Sequence, residues 1–498
     1  MKIGFVDGNV FHAHDALQTL HFHHGVHEQK RVAMRQNLLN LHNIHDHFAV
    51  SVAAHPLGSD WQESRENSNY KRTAALAIRA LPRRGPQRQD RRASAGARHS
   101  TLPCLEAAAS MAAAMADSPL PLTLLGALKP RLPEMLRLLR RFVTTESPSL
   151  AKAAADRCSR VIAKEWQEQG LHVERLPQKH RGDHLRVTYR PKSHAAGQLL
   201  VLGHYDTVYS TGTLKEVPFR ISGNKAYGPG TFDMKAGIVQ ALFALETLQR
   251  SNVKMRKQAV FLWTSDEEIG SESSRKLIES EARRSDAVLV LEPSFGPRGL
   301  LKTARKGVGE AELIVHGRAS HAGLAPEEGI NAVYELAAQL TRIERWNDGR
   351  RGVSINADIV EGGTRTNVIA ERARAVLDLR ALRSSDMRRI ERRLHALRPV
   401  HQGASLKVTG GFDRPPLEHK RCAALFAHAK SLAKQMHLSL GECTAGGGSD
   451  GNFTGAIGIP TLDGLGAVGD AAHSDHEYVL IPTMPGRAAL LAALLATC

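Results

Sequence analysis

From Pro119 onward, apolar and polar positions follow two rhythms, and the rhythm changes twice. "LLGALKPRLPEMLRLLRRFVTTESPS" carries apolar residues at helical spacing, as does "LAKAAADRCSRVIAKEWQEQG", which ends at Gly170. Short apolar runs follow at "HVERLP", "HLRVTYR" and "QLLVLGH". Then come a helical pattern "MKAGIVQALFALETLQRS", a strand "QAVFLWTS", a helix "SESSRKLIESEARR" and a strand "DAVLVLEP". Helices alternating with strands that are apolar at nearly every position predict an α/β sheet, largely parallel and covered on both faces.

Between about 305 and 414 the pattern shifts. Strands at "VGEAELIVHGRA", "SINADIVEGG", "RARAVLDLRAL" and "SLKVTGGF" accompany helices at "GINAVYELAAQLTRIERW" and "SSDMRRIERRLHAL". This predicts a small α+β unit, one four-stranded sheet with two helices on one face. It is an insertion, because helix–strand alternation resumes with "CAALFAHAKSLAKQM", "IPTLDGLG" and "PGRAALLAALLA". The predicted domains are 119–304 and 415–498 as two parts of one unit, with 305–414 set between them.

Residues 1–118 keep neither period for long. Eleven of the chain's 25 histidines fall here, followed by the arginine-rich "RRGPQRQDRRASAGARHS" and the alanine-rich "EAAASMAAAMADS". The expectation is a low-complexity, disordered His/Arg-rich extension, or sequence upstream of a start near Met111 or Met115.

Composition narrows the function classes. No apolar run reaches bilayer length, so no transmembrane helix is expected. The first residues lack a signal-peptide core, which makes the cytoplasm the expected location. Five scattered cysteines form no CxxC pair and read as reduced thiols. The net charge of +17 raises nucleic acid as a partner. The excess is spread widely, however, and residues 1–118 hold 14 Lys/Arg against 10 Asp/Glu. Nucleic acid is therefore not expected, whereas a positive surface suits a small acidic substrate.

The chemistry lies at strand ends. "LLVLG" runs into His204 and Asp206, two positions apart and so pointing the same way. "AVFLWTS" runs into Asp266, Glu267 and Glu268, and "DAVLVL" into Glu292. "AYGPGTFDMKAG" sets Asp233 in a glycine-rich turn before a helix. Each has an ordinary explanation alone: an edge histidine, a helix cap, a solvated helix start, a strand terminus. Together they crowd like charges at one sheet edge, where ligands of open α/β sheets bind, and that crowding requires a cation. Oxygen and imidazole donors without thiolates suit zinc, with manganese or cobalt as substitutes. If Asp233 gives one oxygen to each of two ions, His204 and Glu292 complete one, and Glu268 with a distant histidine completes the other. "DAAHSDHEYV" offers His473, with His476 as its local competitor. Adjacent glutamates on extended chain point oppositely, which leaves Glu267 free to act as general base. Asp206 is placed to orient the His204 ring.

These residues resemble the zinc-dependent exopeptidase and deacylase family of glutamate carboxypeptidase, acetylornithine deacetylase, succinyl-diaminopimelate desuccinylase and aminoacylase. Over about 120–498, "GHYDTV", "GPGTFDMKAG", "SDEEIGS", "LEP", "GRASHAG", "GGTRTNVI", "LDLR", "GGGSD" and "HSDHEYV" occur in the family's order. The resemblance implies a mixed, largely parallel zinc-peptidase-like sheet flanked by helices, with 305–414 as a dimerisation and lid domain. It implies two Zn²⁺ held by His204, Asp233, Glu268, Glu292 and His473, with Glu267 as general base and Asp206 as the partner that orients His204. His321 in "ASHAG" would reach the partner subunit's site to stabilise an oxyanion. Asn367 and Arg380 would bind the substrate's carboxylate, although Arg380 also has the type and setting of a structural ion-pair partner. "LEPS", the "GGGSDGNF" loop with Gly447, and "DRPP" with Arg414 lean toward the glutamate carboxypeptidase branch. The implied reaction is hydrolysis of the amide to a C-terminal amino acid, glutamate in the first instance. An N-acyl-amino-acid deacylase is the alternative, and the implied assembly is a homodimer.

Overall fold

A computed structural model describes residues 118–192 and 196–498. Apart from Ser118, the expected extension therefore lies outside the described residues. Two helices, α1 (Leu120–Leu128) and α2 (Leu132–Val143), stand where a single helix is predicted. A 3₁₀ turn over Lys129–Arg131 joins them. Pro130 and Pro133 account for the break, since each lacks the N–H that a continuous helix needs. Helix α3 (Lys152–Glu168) follows and ends before Gly170, whose φ is +74°.

The main lobe then lays down β1 (His172–Leu176), β2 (His184–Tyr189), β3 (Gln198–His204), the short β4 (Arg220–Ser222) and β5 (Lys225–Tyr227), and α4 (Ala236–Arg250). Next are β6 (Gln258–Thr264), α5 (Arg275–Arg283), β7 (Ala287–Val290) and β8 (Leu301–Arg305). The inserted lobe comprises β9 (Gly307–His316), α6 (Ala332–Glu344), β10 (Ser354–Gly362), β11 (Arg372–Ala381), α7 (Ser384–His395) and β12 (Ser405–Arg414). The chain returns through α8 (Ala423–Gln435), β13 (Glu442–Ala445), α9 (Gly451–Ala456), β14 (Thr461–Leu462), β15 (Gly469–Asp470), β16 (Tyr478–Leu480) and α10 (Met484–Thr497).

The central sheet has the order β1-β2-β6-β3-β7-β14. The joints β6–β3, β3–β7 and β7–β14 are parallel, while β1 and β2 join antiparallel at one edge. Every residue of β3 is buried, which explains its unbroken apolar run. One face meets Trp166, α4 and α10; the other meets Ile278 and Ala282 of α5. Helix α10 is buried almost all round, so it reads as apolar throughout rather than amphipathic.

The inserted sheet is antiparallel, in the order β10-β11-β9-β12. Alternate residues Ala311, Leu313 and Val315, with Ala373, Ala375 and Leu377, share a separate core with Leu336 of α6 and Ile390 of α7. The two helices thus cover one face of one sheet. On the other face Arg374 pairs with Glu312 at 2.7 Å and Glu361 at 2.8 Å. Beside the two large sheets, β13 pairs with β8, and β15-β16-β5-β4 form a small sheet that carries the loop bearing His473.

Candidate active site

Parallel register brings the strand ends level. His204 pairs with Thr264, so the turn after β6, bearing Glu267 and Glu268, lies beside the end of β3. Leu202 pairs with Val290, which brings Glu292 to the same edge. Asp233 arrives on the turn Thr231–Lys235 that leads into α4. His473 enters from the loop between β15 and β16.

Five side chains converge there. His204 Nε2 lies 3.2 Å from Asp233 Oδ1 and 3.5 Å from Glu292 Oε1. His473 Nε2 lies 3.4 Å from Asp233 Oδ2 and 3.1 Å from Glu268 Oε2. Asp233 thus turns one oxygen to each histidine. Two triads, His204–Glu267–Glu292 and His204–Asp233–Glu268, each hold their donor atoms within 4.8 Å of one another. Glu268 Oε1 is buried with no hydrogen-bond partner among the described residues. A buried orphan acceptor amid oxygen and imidazole donors, with no sulfur, is what a hard or borderline divalent cation would satisfy. The donor set therefore fits a metal centre.

Asp206 does more than orient a ring. Its Oδ1 lies 3.3 Å from His204 Nδ1, and its two oxygens accept the backbone N–H groups of Glu267 and Glu268, each at 3.3 Å. Ser149 Oγ donates to it at 2.7 Å. One fully buried carboxylate thereby fixes a histidine and the turn that carries both glutamates.

The ionisable groups of the cluster shift one another. Burial opposes protonation of His204, yet Asp206, Asp233 and Glu292 outweigh it and hold the ring well above its usual pKa. Hydrogen bonds to Asp233 and Glu268 push His473 up to about 10. Burial raises Glu267 well above the usual carboxyl range against the pull of Arg414, and it raises Glu268 against the pull of His473. Burial works the same way on Asp233, but the two histidines prevail and hold it well below that range. A divalent cation bound among these groups would displace the protons they hold.

Of the remaining expected residues, His321, Asn367 and Arg380 lie apart from this cluster. His321 is exposed, and its Nδ1 accepts the N–H groups of Gly323 and Leu324, both at 3.1 Å. Its proton therefore sits on Nε2. Asn367 belongs to the neighbouring segment, where its carbonyl accepts Ala322 N–H at 3.0 Å. Arg380 lies on β11 and forks onto Asp378 at 2.9 and 2.8 Å, the ion-pair setting already open to it. Among the described residues none of these three has a hydrogen bond or ion pair to the acid cluster. Gly447 is exposed, and a Cβ there would meet nothing within 4 Å among the described residues, so neither crowding nor backbone conformation demands glycine. Arg414, expected at the substrate, is turned inward: Nη1 donates to Glu267 at 2.8 Å and Nη2 to Ser271 at 3.0 Å.

Several supporting residues escape sequence reasoning. Glu477 accepts the backbone N–H groups of Phe232 and Asp233 on one oxygen, at 2.7 and 2.9 Å. Its other oxygen accepts Gly230 N–H at 2.8 Å and Tyr209 O–H at 2.6 Å. Burial pushes its carboxyl up to about 7 even so. Arg305, buried at the entrance to the inserted lobe, pairs with Asp463 at 2.7 Å and lies 3.5 Å from Glu292. Lys235 is also buried and donates to the carbonyls of Phe142 and Thr145, at 3.1 and 2.9 Å. Glu477 stands inside the quoted "HSDHEYV", so its neighbourhood in sequence was the one available signal.

Chemistry of this kind, at the carboxyl edge of this sheet and beside a small inserted lobe, defines a metal-dependent hydrolase acting on amide bonds. The chain belongs to peptidase family M20/M25/M40, whose profile matches residues 200–497. It is 34% identical over 311 residues to carboxypeptidase G2 of Pseudomonas sp. (strain RS-16), covering 61% of this chain and 74% of that one. It is 29% identical over 301 residues to succinyl-diaminopimelate desuccinylase of Paraburkholderia xenovorans (strain LB400), covering 57% and 79%. Among solved structures, aminopeptidase PepT from Bacillus cereus ATCC 10987 superposes with a TM-score of 0.64 at 21% identity, over 73% of this chain and 98% of that one. A dinuclear metal-binding M20 peptidase from Bacillus subtilis gives 0.56 at 14% identity, over 74% and 98%. These two structures carry the fold. No helix among the described residues is long and apolar enough to cross a membrane.

Proposed function

We propose that the protein is a dinuclear zinc carboxypeptidase that hydrolyses the amide bond to a C-terminal amino acid, with glutamate as the leaving residue. One observation carries the reading: Asp233 faces His204 with one oxygen and His473 with the other, at 3.2 and 3.4 Å. The likeness to carboxypeptidase G2 supports the carboxypeptidase direction.

His204, Asp233 and Glu292 would hold one ion, and Asp233, Glu268 and His473 the other, with manganese or cobalt able to replace zinc. Zinc, when bound, polarises the scissile carbonyl and lowers the pKa of water. Glu267 takes the attacking water's proton and returns it to the leaving nitrogen; its Oε1 is held by Arg414, and its Oε2 has no hydrogen bond among the described residues. Asp206 keeps His204 and the Glu267–Glu268 turn in register. His321 donates Nε2–H to the oxyanion of a partner subunit's site. Asn367 and Arg380 bind the terminal carboxylate, Arg380 exchanging Asp378 for it, and Gly447 lies at the substrate's anionic end.

Domain 305–414 serves as lid and dimer contact between the catalytic parts 119–304 and 415–498. Strand β10 is an edge strand with Ile359 and Val360 exposed, and α6 exposes Tyr334. We place the enzyme in the cytoplasm, where its free thiols stay reduced.

The likeness to succinyl-diaminopimelate desuccinylase favours a second reading, N-acyl-amino-acid deacylase. Metal analysis of the purified protein, with a panel of N-acyl-glutamates, other C-terminal dipeptides, and acetyl- and succinyl-amino acids, tests both. The first reading expects about two zinc ions per chain and preferred release of glutamate. Preference for acetyl or succinyl substrates would replace it with the second, and absence of bound metal would overturn both.

A further inference from the structure

The two crossings between the lobes are hydrogen-bonded to each other: Arg305 N–H donates to Leu417 O at 3.0 Å, and Leu417 N–H to Arg305 O at 3.1 Å. Arg414 lies on the inserted-lobe side of that joint, as the last residue of β12, where it pairs with Val308 of β9. The register shifts between Phe412 and Arg414, so Asp413 is an extra residue in the strand. A bulge of this kind re-aims the next side chain. Here it sends Arg414 out of its own sheet and into the main lobe.

There the guanidinium has no freedom left. Besides Glu267 and Ser271 it lies 3.5 Å from Asp450 Oδ1, and it stacks over the Phe453 ring at 4.8 Å. Only 9% of the side chain is accessible. Both terminal nitrogens are engaged, and, unlike Arg380 with 30% of its side chain accessible, Arg414 offers a substrate carboxylate little surface to approach.

We infer that Arg414 is a positioning residue for Glu267, reaching from the inserted lobe to fix one oxygen of the general base so that the other meets the proton. A carboxylate held at one oxygen by a planar fork cannot swing about its last torsion, and a fixed cation beside it offsets the neighbouring acids. The inference rests on the base assignment proposed for Glu267. A lysine would keep the charge but lose the two-nitrogen fork that spans Glu267 and Ser271.

The test measures kcat, KM, metal content and thermal midpoint on the full chain, using an N-acyl-glutamate that turns over in the panel. The variants are Arg414→Lys, Arg414→Gln, Glu267→Asp and the doubles that combine Glu267→Asp with each Arg414 change. Glu267→Asp draws the carboxylate back by one methylene, out of the guanidinium's hold. Expected are a kcat loss of about 10-fold for Arg414→Lys and about 100-fold for Arg414→Gln, the scale of a small misplacement. KM should stay within about 3-fold, metal content should not change, and each double variant should be no slower than Glu267→Asp alone. A raised KM with unchanged kcat would return Arg414 to the substrate and overturn the inference. So would losses that multiply in the doubles, as a merely structural role predicts. If Arg414→Gln does not fold, the lysine series makes the same comparison. Normal turnover by Glu267→Gln would instead remove the base assignment itself, whatever the Arg414 variants do.

Discussion

Glu477 closes on the backbone of Asp233: its Oε1 accepts the Asp233 N–H at 2.9 Å although 244 residues separate them. Because His473 lies on the same loop as Glu477, this contact ties together the two chain segments that face each other across one of the two proposed metal positions. Glu477→Gln replaces an acceptor with an NH₂ group opposite Gly230 N–H or Asp233 N–H. Each unsatisfied buried donor costs about 1–3 kcal/mol. Metal titration should show affinity at the Asp233–His473 position falling about 10- to 100-fold while the other position holds. Two equally tight ions in the variant would show that the turn keeps its shape without Glu477.

Glu267→Gln keeps the side chain's size and its hydrogen bond from Arg414 but removes the proton acceptor. Metal content should equal that of the unmodified chain, and kcat should fall by about 10² to 10⁴. Stoichiometric metal with undiminished kcat would mean that another group moves the proton.

Asp206→Asn separates from that result by its double effect. The amide cannot accept at both oxygens, so either the carboxylate contact to the His204 ring, whose Nδ1 also lies 3.2 Å from the Asp206 backbone carbonyl, or the bond from the Glu268 N–H is lost. Metal affinity and turnover should fall together, affinity by about 10- to 100-fold. A loss confined to turnover would mean that His204 needs no help from Asp206 to keep its orientation.

What the sequence makes legible here follows from periodicity. His204, Glu268 and Glu292 are conspicuous because each follows an unbroken apolar strand, where a charge has no structural reason to be. Asp233 is conspicuous because glycines surround it. Glu477, Arg305 and Lys235 are not, since a carboxylate that gathers backbone N–H groups and a cation buried against carbonyls look like ordinary surface residues until the chain closes round them. Arg414 illustrates the same limit: its motif marks it as important, but the bulge at Asp413 decides which way it points. The strands β13, β15 and β16 are each four residues or fewer and carry too few positions to show a period. The break between α1 and α2 was written in Pro130 and Pro133, yet the apolar period across them masks it.

Glu418 links the lobes through charge and gives a pH prediction. Its Oε1 accepts both the N–H and the hydroxyl of Ser384 at the start of α7, at 3.1 and 2.9 Å, and Lys420 lies 2.8 Å from Oε2. Burial opposes its ionisation, but these partners prevail and hold its carboxyl down to about 2. A depressed carboxyl stabilises the fold above its unfolded pKa of about 4.3 and loses that effect as pH falls toward 2. Glu418→Gln should therefore be less stable near neutrality, by about 1 kcal/mol as for a lost helix cap. Denaturant midpoints of the two proteins should converge between about pH 4 and pH 2. A gap that stays constant over that range would assign the effect to shape rather than charge.

Gly448 supplies the clearance that Arg414 needs. A Cβ built there would lie 2.6 Å from Arg414 Cδ and 3.3 Å from Val308 Cγ2. Cδ is mid-chain, and the far end is pinned by Glu267 and Ser271, so the arginine can yield only by loosening that grip. Gly448→Ala should cost about 1–3 kcal/mol of stability, the usual range for overpacking. It should also lower kcat in the direction of Arg414→Lys with little change in KM. Gly446→Ala, where a Cβ would meet nothing within 4 Å, is the matched control and should change neither. If Gly448→Ala turns over as fast as the control, Arg414 bends aside without releasing Glu267, and the tight path through the glycine loop has no bearing on the base.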